Sequence, residues 1–474
     1  MDINNLVEKF KNGELSVVEY TKESLEKIKN NEYNAYISFD EEDSIKRAQY
    51  LEEKLKNNEE LRKLFGVPIA VKDNISYENM KMTCASKMLE DFTPIYNATV
   101  VDNLLKEDAI IIAKTNMDEF AMGASSKTSY FGIVKNNLDT SLIAGGSSSG
   151  SAVAVSSDDV LVSLGTDTGG SVRGPASYTN VIGYKPTYSL MSRYGVVSMA
   201  NTLDQVGIFA QNIDDLRLMA EITSSPDKND MTAILKDYSF DKEDYDFKGK
   251  KIGVIKTTSQ LYRGICDEVK ADYQKALEVF EKLGAELVEF DLKYAKFANP
   301  VYNIVMSSEV SSNMSRFDGV RFGHQTKSYD NPTELFIKSR SEGLGEEVQR
   351  RIALGTMYLS ASDGQRIYKK GLQLRTLIKN ELEDLFNEFD LIITPTTTNL
   401  PAKISKDTDI NPLSDFEADG FNVIVNLAGM CGLSIPVREG ISGSIQIIAK
   451  RFDDKNAINA ADKFLREVKW IQKQ

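Results

Sequence analysis

A chain of 474 residues, 41% of them hydrophobic and 27% charged, can bury a sizeable core, and none of its apolar runs approaches the roughly 18 residues of a membrane span. Its 57 Lys and Arg against 70 Asp and Glu leave a net charge of −13 with no basic block interleaved with aromatics, which argues against a protein that grips nucleic acid alone. Three widely spaced cysteines, Cys84, Cys266 and Cys431, show no metal-ligand pattern and the opening Met1–Leu6 no signal-peptide pattern, so a reducing cytoplasmic setting without bound metal or membrane is expected.

In chain order, residues 1–63 read as helices. Ser16 and Glu19 form a capping-box pair opening Val17 to Lys29, and the charged run 41–63 carries leucines at helical spacing, as a solvated outer helix would. The first core strand is Val67–Lys72, followed by a helix over 96–107 and a strand Ala109–Ala113, the alternation of an α/β layer. Met117–Ser129 reads as a loop with a short helix, and Asp159–Leu164 as a buried strand running into a glycine pair. Residues 223–250 are polar and acidic, an exposed connection. Beyond it, Lys251–Ile255, a helix over 267–283 and Ala285–Phe290 make a strand–helix–strand unit. Helices dominate 300–388, Leu391–Thr394, Leu433–Pro436 and Ser444–Ile448 read as late strands, and a last helix ends near Trp470. There is no internal repeat.

Two stretches carry the chemistry: Ala144-Gly-Gly-Ser-Ser-Ser-Gly-Ser151 and Gly165-Thr-Asp-Thr-Gly-Gly-Ser-Val-Arg173. Serine with glycine usually means a linker, but apolar runs at 152–155 and 160–164 flank this one, as they would not flank a linker. A phosphate loop would need a lysine where Ser151-Ala152 follow Gly150. Gly146–Gly150 also matches the short nucleophile-elbow pattern, which requires a histidine, and the one histidine, His324, lies in a polar segment. A hydroxyl nucleophile belongs on a tight turn whose free N–H groups face one small volume, and Ser171 after Gly169-Gly170 fits. Without a suitable histidine the base falls to a lysine whose pKa burial can depress, and Lys72, ending the apolar run Gly66–Val71, is the candidate. Its bland reading is a strand-end lysine reaching water.

The set Val71-Lys-Asp-Asn74, Gly145-Gly-Ser-Ser148 and Asp167-Thr-Gly-Gly-Ser-Val-Arg173 resembles the amidase signature family with its Ser–cis-Ser–Lys triad, down to the 75 residues between Lys72 and Ser147 and the 24 between Ser147 and Ser171. Asn116–Gly123, Lys185–Tyr188, Ser192–Gly195, Ser307–Glu309, Ser315–Gly319, Ser339–Gly343 and Asn426–Gly429 resemble one branch in particular, the A subunits of glutamyl-tRNA(Gln) amidotransferases. That resemblance implies an α/β fold with a central mixed sheet covered by helices on both faces. It also implies one domain over 1–474, made of a helical region 1–63, a catalytic core 64–222, the connection 223–250 and the rest of the core with the glutamine pocket over 251–474.

In the implied reaction Ser171 attacks a carboxamide and passes its proton to Ser147 and then to a neutral Lys72, while N–H groups of the turn Thr168, Gly169, Gly170 and Ser171 hold the oxyanion. Asp167 and Arg173, flanking that turn, read equally as an ion pair bracing it. The resemblance places one arginine of the Arg350-Arg351 pair, with Arg351 favoured, on the carboxylate of glutamine, Asp419 on its ammonium and Tyr302 on its side chain. From charge alone these residues would mark a solvated face. It implies no cofactor on this chain, ATP and Mg on a B subunit that binds tRNA and ATP, a small C subunit beside it, and tRNA met through the complex. The expected activity is glutamine hydrolysis feeding ATP-dependent conversion of Glu-tRNA(Gln), and potentially Asp-tRNA(Asn). The alternative is a stand-alone amidase acting on a small or aryl amide; a non-catalytic scaffold is disfavoured because Lys72, Ser147 and Ser171 are all present. Ala144, Ser149 and Asn422 depart from the usual pattern without removing a catalytic group.

Overall fold

The computed structural model describes residues 1–360, 364–405 and 420–468. Among them, eleven strands form one sheet: β1 Tyr36–Ser38, β2 Pro68–Lys72, β3 Ile110–Thr115, β4 Val162–Asp167, β5 Ile182–Lys185, β6 Gln205–Ala210, β7 Lys251–Ile255, β8 Glu286–Phe290, β9 Leu391–Pro395, β10 Cys431–Pro436 and β11 Ser444–Ala449. Their order is β1-β3-β2-β4-β6-β5-β10-β11-β9-β7-β8. β2 runs parallel to both β3 and β4, and β7 to both β8 and β9, whereas the central strands β4, β6, β5, β10, β11 and β9 pair antiparallel. The sheet is therefore mixed, with its parallel sections near its two ends.

Every residue of β2, β3, β4, β6, β10 and β11 is buried. Strands buried on both faces need helices on both sides. The N-terminal helix Val17–Lys29 starts where its sequence says it should, with Ser16 Oγ accepting from the Glu19 N–H at 3.1 Å.

Three local readings change. The segment 1–63 is not all helix, because β1 adds an edge strand antiparallel to β3. The apolar run 152–155, to which the sequence assigned no element, belongs to the helix Ser149–Ser156, whose small residues let it lie against β2 and β4. The following strand is Val162–Asp167, so it continues through Gly165 and delivers Asp167 to the sheet's end. Residues 224–250 hold no helix or strand, yet Phe240 and Phe247 are buried in the core at 2% and 1% exposure. The last helix is described as Asp454–Val468, and Trp470 lies outside the described residues.

Candidate active site

β2 and β4 are parallel neighbours, with Val71 opposite Leu164, so their carboxyl ends emerge side by side. That places Lys72, the last residue of β2, next to the turn that follows Asp167, the last residue of β4. Open α/β sheets put ligands at this edge of parallel strands. Against it lies the glycine–serine loop: the Gly146–Ser147 peptide bond is cis, and the helix Ser149–Ser156 starts immediately after it.

Lys72 is fully buried and meets no carboxylate directly. Its Nζ lies 2.7 Å from Ser147 Oγ, 2.8 Å from Ser148 Oγ, 2.9 Å from Thr166 Oγ1 and 3.3 Å from the Thr166 carbonyl. Burial penalises the ammonium form and outweighs the more distant carboxylates of Asp118, Asp167 and Asp204, bringing the amine down to about 7. A lysine poised there can exchange a proton with a bonded hydroxyl near neutral pH. The strand-end lysine reaching water is thereby ruled out: Lys72 points inward, with 0% exposure.

The turn 168–171 is built on Asp167. Its Oδ1 accepts from Gly170 N–H at 2.9 Å, Arg173 Nη2 at 2.9 Å and Asn426 Nδ2 at 2.9 Å, while Oδ2 accepts from Val172 N–H at 3.1 Å and Arg173 Nε at 3.0 Å. Burial alone would raise this carboxyl, but the Arg173 guanidinium and these donors hold it well below the usual carboxylate range. Asp167 and Arg173 are thus the fully buried ion pair that braces the turn. Of the four N–H groups expected to serve as oxyanion donors, that of Gly170 donates to Asp167, whereas those of Thr168, Gly169 and Ser171 make no hydrogen bond among the described residues. Gly170 adopts φ +133°, open to glycine and to few other residues.

Ser171 is the one partly exposed residue between Val162 and Thr179. Its carbonyl accepts from the Ser148 N–H at 3.2 Å, which fixes the turn against the cis-peptide loop, and its hydroxyl makes no hydrogen bond among the described residues. Lys72 and Ser147 are therefore joined side chain to side chain, and Ser171 is joined to them through backbone.

Of the expected pocket residues, Tyr302 packs directly on the turn: a Cβ added at Gly169 would sit 2.7 Å from Tyr302 Cζ. Tyr302 lies on the helix Ala298–Asn313, and Met306, one turn on, is 3.6 Å from Arg351 Nη1. Arg351 and Arg350 both stand on the helix Glu346–Leu359 and share Glu347, with Arg351 Nε donating at 2.6 Å and Arg350 Nε at 2.6 Å. Their side-chain exposures, 7% against 36%, make Arg351 the buried one, facing the helix of Tyr302. Asp419 lies outside the described residues. His324 is occupied with Glu342, its Nε2 3.0 Å from Oε2.

The Amidase family model matches residues 18–458 of this sequence. The chain belongs to the amidase family. It is 43% identical, over all of its length and 97% of the relative's, to the A subunit of the glutamyl-tRNA(Gln) amidotransferase of Caldanaerobacter subterraneus subsp. tengcongensis, and 42% identical to that of Staphylococcus epidermidis over 98% and 96%. Among solved structures, the A subunit of the glutamyl-tRNA(Gln) amidotransferase from Thermotoga maritima superposes with a TM-score of 0.79 at 33% identity, covering 95% of this chain and 91% of that one. A bacterial aryl acylamidase of the amidase signature family shares the fold, with a TM-score of 0.86 at 22% identity over 100% and 97%.

In this amidase the sequence departures have structural partners. The Ser149 hydroxyl donates to the Gly145 carbonyl and closes the loop on itself. Asn422 gives its backbone carbonyl to Arg173 Nη1 at 3.1 Å and its Nδ2 to the Thr396 carbonyl at 3.0 Å. Sequence reasoning assigned no role to Ser148, Thr166, Asn74 or Asp118, although each sits in or beside a quoted motif. The available signal was position: Ser148 and Thr166 adjoin residues expected at the site, and a buried lysine needs several acceptors.

Proposed function

We propose that this amidase is the glutamine-hydrolysing subunit of a tRNA-dependent amidotransferase, supplying ammonia for conversion of Glu-tRNA(Gln) to Gln-tRNA(Gln). The observation that carries the reading is the fully buried Lys72 amine 2.7 Å from Ser147 Oγ, beside a turn that presents Ser171, in a chain similar end to end to the A subunits of such enzymes. Ser171 Oγ attacks the carboxamide carbon as its proton passes to Ser147 and the Ser147 proton to neutral Lys72. The Ser147–Ser171 hydrogen bond this requires tightens when the substrate is seated. The oxyanion is received by the free N–H groups of the turn, those of Gly169 and Ser171 first, each worth about 3 kcal/mol to the transition state. Collapse expels ammonia, which takes the proton back along the relay, and water then releases glutamate from the acyl-enzyme.

Arg351 receives the substrate carboxylate and Asp419 its ammonium, with Tyr302 lining the side-chain path; the burial of Arg351 beside Met306 supports its choice over Arg350. The sheet shared by β1–β6 and β7–β11 supports a single domain over 1–474, with residues 223–250 as a connection inside it. ATP with Mg, and the tRNA, belong to a partner B subunit, with a small C subunit completing the assembly in the cytoplasm; potential action on Asp-tRNA(Asn) belongs to that assembly as well.

Glutamine hydrolysis by the chain, measured with and without the partner subunits, tRNA and ATP, tests the reading. Turnover of glutamine that rises with the partners supports it, and Ser171→Ala should lower that turnover by several orders of magnitude without unfolding the chain. Hydrolysis of simple amides but not of glutamine under every condition would replace it with the stand-alone amidase.

A further inference from the structure

Lys72 in its neutral form has two N–H donors and one lone pair, and three hydroxyls surround it. The relay works only if the lone pair is turned to Ser147, so the protons of Ser148 and Thr166 must go elsewhere. The Ser148 hydroxyl donates to the Thr166 carbonyl at 3.0 Å, and its oxygen is thereby free to accept from Lys72. Thr166 Oγ1 lies 2.9 Å from Lys72 Nζ and accepts from Asn74 Nδ2 at 3.1 Å, and its own proton has no acceptor among the described residues other than the lysine lone pair. Left so, Thr166 competes with Ser147 for the base.

Thr166 borders a small cavity of about 10 Å³, the size that holds one water, lined by Asn74, Thr168, Arg193, Asp204 and Gln205 together with apolar side chains. Asn74 is 2% exposed, and its Oδ1 is fully buried with no hydrogen-bond partner. An orphaned acceptor of this kind in a polar cavity costs free energy unless something donates to it. We propose that this cavity binds a single water that accepts the Thr166 hydroxyl proton and donates to Asn74 Oδ1, making Asn74 a positioning residue that keeps the Lys72 lone pair turned to Ser147. The water satisfies the orphaned amide oxygen and, in the same arrangement, leaves Thr166 Oγ1 as an acceptor for a Lys72 N–H. The proposal rests on the relay described under Proposed function, and its structural half is tested without that reaction.

A crystal structure of the full chain that resolves ordered water should show one in the cavity, bonded to Asn74 and Thr166, and the Thr166→Val protein should lack it. A dry cavity, or a water bonded to neither side chain, overturns the site. In steady-state glutamine hydrolysis, Asn74→Leu should lower kcat about 100-fold with KM unchanged, the scale of a general base lost from alignment. Adding Thr166→Val to Asn74→Leu removes the competing proton and should return about tenfold of that kcat, a rescue that a purely structural Asn74 would not give. Unchanged kcat in Asn74→Leu, or no rescue by the second substitution, overturns the positioning role. If Asn74→Leu does not fold, the crystallographic pair of parent and Thr166→Val still decides the water. If the parent does not hydrolyse glutamine, the functional reading falls while the water result stands by itself.

Discussion

The acid limb of the pH–rate profile follows directly from where Lys72 is held. Burial, opposed by the carboxylates of Asp118, Asp167 and Asp204, brings its amine from 10.5 to about 7. The folded value is depressed, so the amine is neutral and competent above about 7 and is lost as a base as pH falls through it. With one proton involved, kcat/KM for glutamine should be about half its plateau near pH 7 and fall about tenfold for each further unit of acidity, or about 1.4 kcal/mol per unit. Ammonia release measured from pH 5 to 9 would trace this limb. Two variants locate its origin. Lys72→Arg carries a group that cannot deprotonate at these pH values, so it should be as inactive as Lys72→Ala across the range. Asp118→Asn removes the first of the carboxylates that favour the ammonium, so its limb should move to lower pH. A flat profile from pH 5 to 9, or activity restored by arginine, would refute the assignment of Lys72 as the base. The same depression has a stability consequence with its own sign. Between about 7 and 10.5 the unfolded chain binds a proton that the folded chain does not, so the Lys72 contribution to stability rises with pH across that window.

Arg351→Ala should weaken glutamine use by about 2–5 kcal/mol, the cost of leaving a buried charge of the substrate unpaired, and leave hydrolysis of an uncharged simple amide nearly unchanged; steady-state kinetics on both substrates checks it, and a parallel loss would mean a collapsed site. Arg173→Ala strands the buried Asp167 carboxylate and should destabilise the chain by about 3–5 kcal/mol in urea unfolding, whereas a change below about 1 kcal/mol would show that backbone donors suffice to hold Asp167. At net charge −13 the isolated chain should bind tRNA no better than background in filter binding at physiological salt, with binding recovered only in the reconstituted assembly; tight, salt-sensitive binding by the chain alone would contradict that division of labour.

The residues that bear chemistry were the most legible part of the sequence. Glycines mark places where backbone must bend or approach closely, and a lysine ending an apolar run hints at burial, so Ser171 and Lys72 could be singled out from the residues themselves, whereas Ser147 came only with the family resemblance. Among the strands, β2, which ends in Lys72, and β3 and β9 were legible because they are largely continuous apolar runs. β5 and β6 went unread because Ile182–Lys185 is four residues long with glycine, tyrosine and lysine in it, and because Gly207 interrupts the apolar run of Gln205–Ala210. Their strand character comes from pairing with each other and with β4 and β10, a non-local cause. The use of the Gly170 N–H was hidden likewise, since the sequence shows a donor-rich turn but not that the carboxylate three residues earlier folds back to take one of its donors. Arg350 and Arg351 are adjacent in sequence, and only the packing of one helix on another separates the buried side chain from the wet one.

The braced turn also fixes how the chain can be divided. Arg173, besides holding Asp167, reaches the Asn422 carbonyl, Asn426 and, at 2.5 Å, Gln446 Oε1 in β11. Lys72, Ser147 and Ser171 all lie within the first 222 residues, yet the guanidinium that shapes their turn is itself held by partners some 250–270 positions downstream. A fragment ending at the connection would carry every residue proposed to react and lose the clamp on their turn. The nucleophile is consequently no portable cassette. Its geometry depends on the whole sheet, and insertions or fusions are tolerable only where they leave β11 and the helix Gly420–Ala428 in place.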